Sequence, residues 1–229
     1  GDYAKELMIK EGFKASTLST IHNSLDYDKQ LEIRKNLKEA PVFSDHFANH
    51  NPVLFYIGRL QKTKRLDLLI EALSLLKAKE VNCNLVIVGK DIDGLGLPKL
   101  AEQYNVHHQV WFYGPLYDEN EIGNFLYNAH VCVSPGNVGL TAIHSLSFGC
   151  PVITHKDFTF QGPEFEIIES GVTGEFFERD NVIDLVDTIK HWLEKDSSRS
   201  KVRHSCYQVI DQKYNPYAQL KVLKAALSL

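Results

Sequence analysis

From residue 52 onward, short unbroken apolar runs alternate with longer stretches whose apolar positions recur at helical spacing. Residues 53–57 (VLFYI), 84–88 (NLVIV), 110–113 (VWFY), 131–133 (VCV) and 151–154 (PVIT) are the short runs. Continuous rather than alternating runs suit strands buried on both faces of a parallel sheet. A last short strand is expected at 174–177. Between them the spacing predicts helices over 67–79, 97–104 and 119–128, one beginning at Leu140, and a short one over 164–170. In the first, Leu68, Leu69, Ala72, Leu73, Leu75 and Leu76 form the apolar stripe. Three more helices are expected at 181–194, 198–212 and 216–229. The order predicts an α/β fold: a doubly wound, mostly parallel, six-stranded Rossmann-like sheet followed by C-terminal helices. Ligands would then bind at the carboxyl ends of the strands.

The first fifty residues do not continue this alternation. A helix over 2–12 closes at Gly12, a short strand is expected at 18–21, a turn at 22–24, and a charged helix at 28–37. Residues 40–51 read as a loop carrying His46 and His50. The segment therefore looks like a hinge region plus a loop, and a core domain begins only at Pro52.

Composition narrows the function. The 229 residues carry 25 basic and 29 acidic side chains, a net charge of −4, which gives no electrostatic case for nucleic acid as a partner. No apolar run approaches membrane length and no signal peptide opens the chain, so a cytoplasmic location is expected. Cys83, Cys132, Cys150 and Cys206 lack metal-type spacing, and the first three fall in or beside expected strands. They read as small buried residues in a reducing compartment. His46 and His50 have no clear third ligand, and His107-His108 reads as a loop pair, so no metal is expected.

The candidate chemistry sits just after the strands. After the first come Gly58, Arg59 and Lys64. Two cations beside a glycine suit a diphosphate, and they equally suit a solvated basic turn at a helix entry. After the third come Tyr113, Gly114, Pro115 and Leu116, either a plain turn or a loop whose backbone meets a base edge. After the fourth comes the stretch the rest is organised around: Ser134, Pro135, Gly136 and Asn137, then Gly139, Leu140 and Thr141 entering a helix. A glycine turn feeding a helix start exposes free N–H groups and so can hold a phosphate; it can also be an ordinary βα turn. His144 stands one turn into that helix, on the same face as Thr141. No GxGxxG follows the first strand, and neither GxxxxGK[ST] nor GxSxG occurs. The usual dinucleotide fingerprint, a P-loop NTPase and an α/β-hydrolase lose their support.

These segments, YIGRL at 56–60 with Lys64, DLLIEAL at 67–73, LVIVG at 85–89, VWFYG at 110–114, Gly139-Leu140 through FGCPVI at 148–153, and IIESGVTG at 167–174, resemble the C-terminal, nucleotide-sugar-binding domain of GT-B-fold retaining glycosyltransferases of family 4. The likeness runs over roughly residues 52–194. It implies a division into the end of an N-terminal domain with an interdomain crossing at 1–51, the nucleotide-sugar-binding domain at 52–195 and a helical tail at 196–229. It implies an enzyme transferring a hexose or HexNAc from a UDP-sugar to a glycan or lipid-linked acceptor in surface polysaccharide (O-antigen or capsule) synthesis, at the inner face of the membrane. The donor is the only small molecule implied, with no cofactor and no metal. The acceptor site would lie in the N-terminal domain, and the fragment alone would be inactive. The resemblance makes Arg59 and Lys64 the diphosphate ligands, the amides of Gly139, Leu140 and Thr141 the distal-phosphate cradle, and Tyr113 to Leu116 the base contact. The family usually carries two glutamates where this chain has Gly136 and His144, one for the donor sugar and one for the ribose. His144 can still bond a ribose hydroxyl. Asn137, Glu164 and Glu166 are the alternatives for the sugar, and a helix-start role is the alternative for both glutamates. A nucleotide-sugar epimerase of the same fold and a degenerate non-catalytic binding module are the rival readings.

Overall fold

The computed structural model describes residues 1–195 and 197–227. The strands are β1 (Val53–Ile57), β2 (Asn84–Val88), β3 (Val110–Gly114), β4 (Val131–Ser134), β5 (Val152–His155) and β6 (Gly174–Phe177). They form one sheet in the order β3-β2-β1-β4-β5-β6, and every pairing is parallel. The chain adds two strands on one side of β1, then returns and adds three on the other. The direction of winding therefore reverses between β1 and β4, which opens a crevice at their carboxyl ends.

The helices are α1 (Asp2–Lys10), α2 (Tyr27–Asn36), α3 (Ser44–Phe47), α4 (Leu66–Ala78), α5 (Leu97–Gln103), α6 (Glu119–Asn128), α7 (Thr141–Ser147), α8 (Val182–Glu194), α9 (Arg199–Lys213) and α10 (Pro216–Ala226). All five residues of β1 are buried, as a central strand covered on both faces requires. Phe55 and Ile57 face a core shared with Phe125 of α6, Ile143 and Leu146 of α7, and Ile210 of α9. Leu54 and Tyr56 face the other, with Leu69 and Leu73 of α4, Ala101 of α5, and Ile189 of α8. Residues 1–51 pack against this body, with Ile33 and Phe43 buried in the first core. The tail returns to this segment, with Gln219 Nε2 donating to the His22 carbonyl at 2.7 Å and Tyr217 Oη to Asp28 at 2.9 Å.

Polar side chains at Asp118, Asn181, Ser198 and Asn215 cap α6, α8, α9 and α10 by accepting the N–H three residues on, each contributing about 1 kcal/mol. The start of α1 is capped from afar. Both oxygens of Glu166 accept backbone N–H groups, from Asp2 and Tyr3, at 2.7 Å each.

Three local expectations are corrected. Residues 18–21 form no strand, because no neighbouring backbone offers them a ladder. Residues 40–51 are not all loop, since Ser44–Phe47 closes one helical turn, and His46 stacks flat on Trp111 with ring centroids 4.2 Å apart. The helix expected at 164–170 is a 3-10 turn, Pro163–Ile167, with its proline in the first position. Position 196, the first of the expected tail, and positions 228 and 229 at its end lie outside the described residues.

Candidate nucleotide-binding site

The crevice between β1 and β4 is built from three loops, and its geometry follows from two close approaches. Gly58 ends β1 at φ +151°, where a Cβ would lie 3.0 Å from the Tyr56 hydroxyl. The first residue of α7 reaches across to the same place: Thr141 Oγ1 donates to the Ile57 carbonyl at 2.9 Å. That hydroxyl ties the start of α7 to the end of β1 and is a structural pin. The amides of Gly139, Leu140 and Thr141 find no hydrogen-bond partner among the described residues and stand at the open end of the helix.

The second approach is tighter. Gly136 packs against the loop that follows β1, with its N–H donating to the Lys64 carbonyl at 3.0 Å. A Cβ on Gly136 would lie 2.0 Å from the Thr63 carbonyl oxygen and 2.8 Å from backbone carbons of Lys64. No side chain fits there, so the position offers a ligand neither a carboxylate nor its amide. Asn137, beside it, holds Lys64: the ammonium donates to the Asn137 carbonyl at 2.6 Å and to its Oδ1 at 3.0 Å. One of the three ammonium N–H donors is left for a ligand. Burial holds the Lys64 ammonium below its ordinary pKa, and the Glu164 carboxylate works against that. Arg59 is exposed, and its guanidinium has no partner among the described residues. Leu140 is exposed at the mouth.

On the other side of the crevice stands His144. Its Nε2 lies 2.9 Å from Glu119 Oε1, and Gln30 Nε2 donates to the same oxygen at 2.8 Å. Burial pushes the Glu119 carboxyl up, yet the hydrogen bonds from His144 and Gln30 outweigh it and the pKa is lowered. The carboxylate absent at 144 is therefore present in space, delivered from the first turn of α6. Tyr113 points elsewhere: its hydroxyl donates to Glu121, which raises its pKa, and its ring packs on Phe125 at 5.2 Å.

Glu164 and Glu166 each have partners within the protein. Glu166 caps α1, and buried Glu164 accepts from Asn23 Nδ2 at 2.6 Å. Three residues of the site have no signal in a single sequence: Gln30, Glu119, and Gln161, whose Oε1 accepts the Val138 amide at 2.9 Å and braces the glycine turn. Among the described residues no three His, Cys, Asp or Glu side chains converge as metal ligands would.

The architecture that places glycine turns, two cations and a helix start at this switch point matches one family over most of the chain. Residues 39–209 match the family described as glycosyl transferases group 1. The chain belongs to that family. A sucrose synthase of Thermosynechococcus vestitus is 29% identical over 160 residues, 62% of this chain and 19% of the relative. The capsular polysaccharide biosynthesis glycosyltransferase CapM of Staphylococcus aureus is 23% identical over 172 residues, 73% of this chain and 43% of CapM. The chain thus spans less than half the length of these curated relatives. In structure, Anabaena HepE, solved in complex with UDP, superposes on all of this glycosyltransferase chain with a TM-score of 0.77, at 18% identity and over 62% of its own length. That likeness is one of fold, and it agrees with the α/β Rossmann-like sheet expected of one GT-B half.

Proposed function

We propose that this glycosyltransferase domain is the donor-binding half of a family-4 retaining enzyme. It takes a UDP-hexose or UDP-HexNAc and, with an N-terminal domain that supplies the acceptor site, transfers the sugar to a glycan or lipid-linked acceptor in surface polysaccharide synthesis. The work would take place in the cytoplasm, at the inner face of the membrane. The observation that carries the reading is the position of Lys64, pinned by Asn137 beside the unpartnered amides of residues 139–141. Charge develops on the diphosphate as the bond to the sugar breaks. Fixed donors aimed at that place stabilise it without reorganising. Arg59 would add a second cation, and Glu119 with His144 would take the ribose hydroxyls. HepE, solved with UDP and with UDP-glucose, supports a uridine donor, and the name of CapM supports the polysaccharide role.

One observation favours a second reading, a binding module that has lost turnover. Gly136 is too tightly packed to hold the glutamate usual at that position. No free nucleophile stands at the crevice among the described residues, so on either reading the chain is expected to bind nucleotide without turnover. Calorimetry with UDP, GDP and ADP tests the reading. UDP is expected to bind best, and the Arg59→Ala, Lys64→Ala double variant to lose about 10- to 100-fold in UDP affinity for each charge-assisted bond removed, with a far smaller loss for uridine. Absence of binding to all three nucleotides, or equal losses for UDP and uridine, would refute it.

A further inference from the structure

A second cavity, of about 400 Å³, opens at the same sheet edge beside the crevice. Its walls are the loop after β1, the turn after β4 and the chain beyond β5 and β6. Lys64 and Asn137 border it, so it begins where the distal phosphate of a nucleotide sugar would end.

Its charge is lopsided. Three cations, Lys64, Arg65 and Arg179, line it against one carboxylate, Asp180. Arg65 is engaged by Asp67 and Asp180. Arg179 also meets two carboxylates, through longer contacts. It makes one hydrogen bond, to Asp157 at 3.2 Å, and its Nε stands 3.5 Å from Asp180. Of its five guanidinium donors, one on Nη1 and two on Nη2 remain for a ligand. Its plane is held by the Phe160 ring, 3.5 Å beneath, a stacking that pre-orders the fork for a planar, bidentate acceptor.

The deep side adds His155, the last residue of β5, only 2% exposed. Its Nδ1 has no hydrogen-bond partner. A buried polar atom without a partner is costly and uncommon, and it marks a place where a polar ligand gains more than it loses on leaving water. Burial, reinforced by the Arg179 charge, keeps the imidazole below its ordinary pKa and so neutral. The cavity therefore offers a neutral ring beneath and, at the rim, a guanidinium whose Nη2 edge is not taken by Asp157 or Asp180.

We propose that this cavity receives the sugar of the donor and selects a hexose bearing a carboxylate, with Arg179 as the carboxylate's bidentate partner. The proposal rests on the nucleotide-sugar reading and narrows it from a hexose to a hexuronate.

Calorimetry of the chain with UDP, UDP-glucose and UDP-glucuronate tests it. UDP-glucuronate is expected to bind about tenfold or more tighter than UDP-glucose, the gain of one charge-assisted bidentate pair. In Arg179→Ala the ratio of the two affinities should collapse toward one, and Arg179→Lys should give an intermediate ratio, since a point charge does not replace a fork. Because the readout is a ratio between ligands sharing one nucleotide, a general loss of folding does not imitate it. Equal wild-type affinity for the two sugars, with UDP still bound, overturns this proposal and leaves the nucleotide-sugar reading standing. No binding of UDP or either sugar overturns both. A preference for UDP-glucuronate that persists in Arg179→Ala overturns the role of Arg179.

Discussion

Gly136→Ala should be costly both to stability and to nucleotide binding, and the two losses have one cause. The added Cβ would lie 2.0 Å from the Thr63 carbonyl oxygen and 2.8 Å from two backbone carbons of Lys64. Real Cβ contacts essentially never fall under 3.0 Å, so backbone must move by about 1 Å on one side. Overpacking of this kind costs about 1–3 kcal/mol. The movement also breaks the bond from the Gly136 amide to the Lys64 carbonyl, 3.0 Å long, worth about 1 kcal/mol. A total of about 3 kcal/mol lowers the melting temperature of a chain this size by roughly 6–12 °C. The segment that moves carries Lys64, whose ammonium is placed by the 2.6 Å and 3.0 Å bonds to Asn137. UDP affinity, followed by calorimetry, should therefore fall about tenfold or more. Gly136→Glu should do no better, since its carboxylate begins from the same blocked Cβ. A variant that melts within about 2 °C of the parent and binds UDP unchanged would refute the claim that backbone approach forbids a side chain here.

Three further outcomes follow from the hydrogen-bonded ionisable groups. Glu119→Gln and His144→Ala should each weaken UDP more than the base-only ligand uracil, and loss of both should cost little more than loss of one, because the side chains act as a pair at 2.9 Å; full additivity in calorimetric titrations of the double variant would contradict that. The Glu119 pKa is lowered on folding, so its stabilisation is present above the ordinary carboxylate range and is lost as pH falls through its own lower value. Urea midpoints followed from about pH 6 to about pH 3 should then fall less steeply in Glu119→Gln than in the parent, and parallel curves would show that the carboxylate is not held in this way. His130 works through the opposite charge state. Burial, with Arg199 and Arg203 nearby, drops its pKa from 6.5 to about 4, and its Nδ1 accepts the Val53 amide at 3.0 Å. The neutral ring is the native form, so its contribution is complete above pH 6.5 and fades as pH falls toward about 4. The expected loss between about pH 7 and about pH 5 is about 2 kcal/mol, and it should be absent from the same measurement on His130→Asn, which cannot titrate.

The strands and the glycine turns were legible because their causes are local. A run such as residues 84–88 is apolar at every position after Asn84, and a strand covered on both faces suits such a short run. Residues 18–21 show the limit of that logic. Their composition suits a strand, but a strand exists only where a neighbour supplies the ladder, and none does. The Pro163–Ile167 turn ends where Ile168 turns extended, and its Glu166 side chain reaches across the molecule to cap α1, 163 positions away from its partner Tyr3.

By itself the sequence determined the alternating α/β order and the switch-point loops with Arg59 and Lys64, and its resemblance to the family marked Gly136 and His144 as a departure from the usual pair of glutamates. Whether that departure empties the site was decided only by tertiary contacts. Glu119 stands 25 positions before His144 and becomes its partner through the packing of α6 beside α7. Lys64 and Asn137, 73 positions apart, meet because β1 and β4 lie side by side in the sheet. Gly136 reads in sequence as a missing carboxylate; in three dimensions it is the one residue small enough to let those two loops touch.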